Sequence, residues 1–225
     1  MPSPPRPTTR ALTEPVTPLA AAVELTATDA VEVPKVVVAA RGPAPLSAGS
    51  FDLAVAAQVL GGGKTSRLHR RLVMRDRLAT DVGAYYLPQV LGGELQIHAI
   101  ARAGVDPAAL RAAIDDELAT LLKTPVPADE LGRAKTVLRA ELLTGLEDLA
   151  GRAEALATWA ALTGTPDYAG RELAQLAAVT ADSVRVTAGQ FLAPTATVTM
   201  TIVPAPAAAE ETIDPAPTAP KGATP

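Results

Sequence analysis

The sequence predicts an α+β domain, with helices packed on an antiparallel or mixed sheet, and three observations lead there. Strand-like segments arrive in runs, two near the start, two in the middle and one at the end, instead of alternating regularly with helices. Between them lie segments whose apolar residues recur at helical spacing. With 225 residues, 48% of them hydrophobic, there is enough apolar material for a sizeable core; only 3% is aromatic, so Ala, Leu and Val must supply most of it.

Residues 1–19 are proline-rich and aperiodic and read as an extended arm or linker. The folded pattern occupies residues 20–204. Residues 205–225 are rich in Ala and Pro and hold too little apolar surface to offset the entropy of ordering, so a disordered tail is expected. The folded part opens with "AAVELTA" (21–27) and "PKVVVAAR" (34–41), two strand-like runs across a short acidic turn. A helix follows from Ser50 to about Leu60, with Phe51, Val55 and Val59 four residues apart. A second runs from Ser66 to about Arg75, with Leu68 and Leu72 on one face and the Ser66 hydroxyl placed to accept from an orphan N–H of the first turn.

"TDVGAYYLP" (80–88) and "GELQIHAIAR" (93–102) alternate and flank Gly92 and Gly93, which reads as an antiparallel pair with His98 and Gln96 on one face and Leu95, Ile97 and Ala99 on the other. Asp106 and Pro107 begin a helix whose buried stripe is Leu110, Ile114, Leu118 and Leu121. Pro127, Asp129 and Glu130 begin the next, with Leu131, Ala134, Leu138 and Leu142 at helical spacing. Ala-rich helices over 148–162 and 167–178 are broken at "GTPDY", Thr180 caps a last helix to Phe191, and Val198, Met200 and Ile202 alternate with threonines in a closing strand.

Composition narrows the function. Twenty basic against 24 acidic residues give a net charge of −4, which offers no long-range attraction to nucleic acid or an anionic membrane. There is no signal-peptide h-region and no run of about 18 uncharged apolar residues, so neither an export signal nor a membrane span is expected in the chain itself. The compartment, cytoplasmic or periplasmic, would then follow that of a partner. Cysteine is absent, which rules out disulfides, a thiolate nucleophile and cysteine-ligated zinc.

The stretch "QVLGGGKTSRLHRRLV" (58–73) has the look of a phosphate-binding loop, which would make the chain a nucleotide binder. Such a loop needs a glycine six residues before the lysine and a strand leading into it. Gln58 stands at the glycine position and the preceding run is helical, so Gly61, Gly62 and Gly63 read instead as a helix end and sharp turn. His69 has Thr65 and Val73 four residues to either side, and His98 has no second histidine near it, so neither H-E-x-x-H nor H-x-x-E-H exists and a zinc peptidase site in this chain alone is excluded. The "RLHRR" run and the carboxylates of "DDE" (115–117), "DE" (129–130) and "EDL" (147–149) read as solvated faces.

The run "LGGGKTSRLHRRLVMRDRLATDVGAYY" resembles a signature of the insulinase/pitrilysin-type zinc metallopeptidases, the processing-peptidase-like family, in their C-terminal half. "GELQIHAIARAGVD", "ADELGRAKTVLRAELLTGLED" and "TPDYAGRELAQLAAVTADSVRVTAGQFLAPTATVTMTIVP" extend the likeness, in order, over roughly residues 20–204. The resemblance implies a sheet of about five to six mostly antiparallel strands backed by helices, and a non-catalytic half that forms a chamber with a catalytic half. That partner would bear the zinc and hydrolyse peptide substrates; this chain would hold no cofactor. It also implies that Gly61, Gly62, Gly63, Lys64, Ser66 and Arg67 form a turn bordering the chamber. The family's C-terminal half often carries an arginine followed seven residues later by a tyrosine, thought to contact substrate; Val73 and Thr80 stand in those places here. A standalone scaffold or peptidase remnant is the alternative reading.

Overall fold

The structure, a computed structural model, describes residues 19–205, so the expected arm and tail lie outside the described residues except for Leu19 and Ala205. Five strands form one sheet: β1 (Val23–Asp29), β2 (Lys35–Gly42), β3 (Ala79–Gln89), β4 (Gly92–Ala101) and β5 (Thr197–Pro204), in the order β1-β5-β2-β4-β3. The β1–β5 pair is parallel and the other pairs are antiparallel, so the sheet is mixed, as expected. β5 thus wedges between β1 and β2 and brings the two ends of the described chain together in one sheet.

The helices are α1 (Ser50–Gly61), α2 (Pro107–Lys123), α3 (Ala128–Gly145), α4 (Leu149–Thr163), α5 (Ala169–Ala178) and α6 (Ala181–Phe191), with a π-helical turn over His69–Arg75. Val36, Val38 and Ala40 of β2 and Leu95, Ile97, Ala99 and Ala101 of β4 belong to one buried cluster with Leu53, Leu60, Leu110, Ile114 and Val184 of the helices. α1 is enclosed on more than one side: Leu53, Val55, Ala56, Ala57, Val59 and Leu60 are all buried, a wider face than its sequence stripe implies. Truncating Leu60, which is fully buried, to alanine removes about 2–5 kcal/mol.

Several local signals act as the sequence says. The Asp106 carboxylate accepts from Ala108 N–H at 2.9 Å with Pro107 at the first helical position of α2. Thr180 and Ser183 form a reciprocal capping box at the start of α6. Ser183 Oγ also donates to Asp52 at 2.5 Å, tying α6 to α1.

One expectation needs correction, and the structure decides two faces that the sequence pattern leaves open. Gly92 and Gly93 do not make the β3–β4 turn; Val90 and Leu91 do, and the glycines lie inside β4 opposite Gln89 and Pro88. The reason is spatial, because a Cβ at Gly93 would sit 2.6 Å from the ring of Tyr86. In β5 the threonines turn inward: Thr197 and Thr199 are 4% exposed. Thr199 pairs with Val38 on the helix side, while Val198, Met200 and Ile202 fall with Ala39, Val37, Leu25 and Val23 on the opposite, partly buried face. In α3 only Ala134 of the expected stripe is buried. No helix among the described residues is long and apolar enough to cross a membrane.

Candidate functional site

The glycine turn joins α1 to the π-helical turn and is held by its own backbone. Gly62 N–H donates to Gln58 O at 3.0 Å, Gly63 N–H to Gly61 O at 2.9 Å and Ser66 N–H to Gly63 O at 3.1 Å. Amides committed in this way cannot ring a phosphate, and the element before them is a helix, so the phosphate-loop reading fails on geometry. Gly61 is buried against β3, where a Cβ would lie 2.1 Å from Ala84 N; no larger residue fits without moving the strand. Gly63 and Lys64 are exposed and Gly62 half-buried.

Ser66 does not cap. Its hydroxyl is buried without a hydrogen-bond partner, and its carbonyl accepts from Arg70 N–H at 3.0 Å. From His69 the segment widens into i→i+5 bonding, with Asp76 N–H on Arg71 O at 2.8 Å, in place of the regular helix expected as far as Arg75.

The basic run is not wholly a solvated face: Arg70 is exposed, but Arg67 and Arg71 are mostly buried. Arg67, with its side chain 10% exposed, donates from Nε to Glu130 at 2.8 Å, and Arg70 reaches the other oxygen of that carboxylate at 2.9 Å. Glu130, 15% exposed, therefore clamps the glycine turn to the first turn of α3. Arg71 meets Asp116 at 2.8 Å and Glu117 at 3.3 Å on α2, and Arg75 meets Asp76 at 2.7 Å. Burial works against the Arg71 charge, but the hydrogen bond to Asp116 and the field of Glu117 outweigh it and hold its pKa above the ordinary value. Hydrogen bonding to Arg75 in turn lowers the Asp76 pKa. One guanidinium nitrogen, Arg67 Nη1, is buried and unpaired. A cleft of about 480 Å³ beside the turn is lined by Gln58, Gly62, Thr65, Ser66, Asp129, Glu130 and Arg133 among others. The structure thus brings Gly62 and Ser66 to one cleft, turns Arg67 into the ion pair and leaves Gly63 and Lys64 on the outside.

Zinc does not fit the described residues, since no three His, Cys, Asp or Glu side chains among them converge. His69 Nδ1 is buried without a partner on the π-helical turn, while His98 stands on the sheet 3.6 Å from Asp81. Val73 packs half-buried against the core, and Thr80 lies at a β-bulge and donates to Ile100 O at 3.3 Å, so neither offers a cation or a phenol to a peptide.

A second polar group lies on the partly buried sheet face. The register puts Tyr85 opposite Gln96 and Asp81 opposite Ile100, bringing the Tyr85 hydroxyl to Gln96 and its ring centroid to 5.9 Å from that of His98. Sequence alternation places Gln96 and His98 together but not Tyr85 or Asp81, because joining them requires the hairpin register. Tyr86, on the other face, donates to Pro43 O, and burial pushes its pKa up to about 12.

A family model described as the peptidase M16 inactive domain matches residues 2–138. Among solved structures, a protease from Helicobacter pylori superposes with TM-score 0.75 at 20% identity, over 83% of this chain and 45% of that one. The peptidase M16 inactive domain from Pseudomonas fluorescens gives 0.74 at 19%, over 85% and 46%. The inactive peptidase domain of a protein described as a zinc protease from Bordetella parapertussis gives 0.72 at 21%, over 83% and 98%. At such identities the likeness shows the fold, and the chain spans under half the length of the first two. No curated protein matches the chain.

Proposed function

The chain belongs to the peptidase M16 inactive-domain family, and on that premise we propose that it serves as the non-catalytic half of a zinc metallopeptidase. The match over residues 2–138, running through the glycine turn, both middle strands and into α3, carries this reading. In it, a separate or formerly fused catalytic half supplies the zinc, whose chemistry is activation of a water for peptide-bond hydrolysis. This chain contributes a wall of the chamber and a surface for extended peptide, for which the edge of β3, unpaired among the described residues, and the Tyr85, Gln96 and His98 face are the available chemistry. The turn from Gly61 through Lys64 to Arg67 borders that chamber as a structural corner. Residues 20–204 form the functional unit.

Co-purification with a candidate catalytic half, followed by a peptidase assay with and without this chain, tests the reading. Cleavage is expected from the pair and not from this chain alone, which should bind no stoichiometric zinc. EDTA-sensitive cleavage by the isolated chain would overturn it.

A further inference from the structure

Between α3, α4 and α5, away from the glycine turn, lies a cleft of about 480 Å³ walled by Phe51, Leu138, Leu142, Trp159 and Leu176. Glu141, Glu154 and Glu172 also line it, and no lysine or arginine among the described residues does. None of the three carboxylates belongs to an ion pair among the described residues. Of the basic side chains on α3, α4 and α5, Arg133 pairs with Asp129, Lys135 donates to the Ala177 and Val179 carbonyls, Arg152 to the Leu146 and Glu147 carbonyls, and Arg171 lies over the Tyr168 ring. Glu172 is the half-buried one, and Trp159 Nε1 donates to it at 2.6 Å. Burial raises its pKa, the tryptophan bond only partly opposing the shift. A carboxylate drawn into an apolar wall with a single neutral donor is short of a cation.

We propose that this cleft docks a cationic amphipathic segment of a partner polypeptide, its apolar face against Leu138, Leu142 and Trp159 and a lysine or arginine set on Glu172. Charge complementarity selects the occupant. An anionic or neutral segment would leave the three carboxylates of the cleft without a cation, and a hydrated inorganic cation would make no use of the leucines and Trp159. The inference does not depend on the catalytic half, because the cleft and its charge are properties of this chain alone.

Trp159 is the single tryptophan of the chain, so its fluorescence reports on the cleft directly. The full chain is titrated with a synthetic helical Leu/Lys peptide and with the same peptide carrying Glu for Lys. A saturable, salt-sensitive change with the Lys peptide is expected, weakened about tenfold by Glu172→Gln, which still accepts from Trp159, and no change with the Glu peptide. Leu142→Arg, at a half-exposed position, places a cation in the cleft and should abolish binding. Equal responses to the two peptides, or Lys-peptide binding undiminished in both variants, would overturn the proposal. So would a Trp159 signal that changes with protein concentration alone and accompanies dimer formation, since that would give the cleft to a second copy.

Discussion

Two clefts of similar size treat charge in opposite ways. Around the π-helical turn, Arg67, Arg70, Arg71 and Arg75 line a cleft of about 490 Å³ and are answered by Glu130, Glu117, Asp116 and Asp76. Between α3, α4 and α5, one half-buried and two exposed carboxylates line an apolar cleft, with no cation among the described lining residues. A closed ion-pair network holds elements of one chain together; an unanswered charge on an apolar wall points outward, to something else. The difference assigns the first region to folding and the second to recognition.

Glu130→Ala breaks the first region most directly. It strands the Arg67 guanidinium, already carrying one unpaired nitrogen, in a site only 10% exposed. A loss of about 3–5 kcal/mol in urea unfolding is expected. The double variant Arg67→Met with Glu130→Leu should recover most of that loss, because apolar residues of similar volume need no partner. If Glu130→Ala unfolds at the same urea concentration as the parent, the network is ornamental to the fold and the contrast between the clefts fails.

Why this contrast was hidden in the sequence follows from distance along the chain. Arg67 and Glu130 are 63 residues apart, and nothing in "RLHRR" or "DE" indicates that they meet. Local rules therefore read both as solvated. They read the caps at Asp106 and Thr180 correctly because a cap is decided within three residues. The Leu131, Leu138 and Leu142 spacing of α3 correctly marked a helix, but periodicity cannot say whether the stripe meets core or open cleft. Inward Thr197 and Thr199 were not legible for a related reason: β5 lies between β1 and β2, and alternation along one strand does not say which of its two faces meets the helices.

A smaller effect, of opposite sign, sharpens the recognition side. Because the Glu172 pKa is raised on folding, the folded state holds its proton more tightly than the unfolded chain does. Stability is lost as pH rises from the unfolded value through the folded one, and above that window the charged form is a standing cost. Glu172→Gln should then stabilise the chain at neutral pH by about 0.5–1 kcal/mol, the half-exposed position limiting the gain. That gain should vanish on acidification below the ordinary carboxylate range. Thermal unfolding of parent and variant at acidic and neutral pH measures it, and a variant less stable than the parent at neutral pH would mean that Glu172 has a cation partner in the fold.

Glu141→Gln and Glu154→Gln should change stability least, by no more than about 0.5 kcal/mol each, since both side chains are exposed and unpaired. Their silence in unfolding experiments is the informative result. A surface carboxylate that contributes nothing to the fold yet stands on the rim of an apolar cleft acts on whatever approaches it, so the same substitutions should reduce the salt sensitivity of Lys-peptide binding while leaving the melting temperature in place. If either substitution lowered stability by more than about 1 kcal/mol, that glutamate would have to be satisfied within the chain. The second cleft would then be another balanced network, and the division between a region that folds and a region that recognises would disappear.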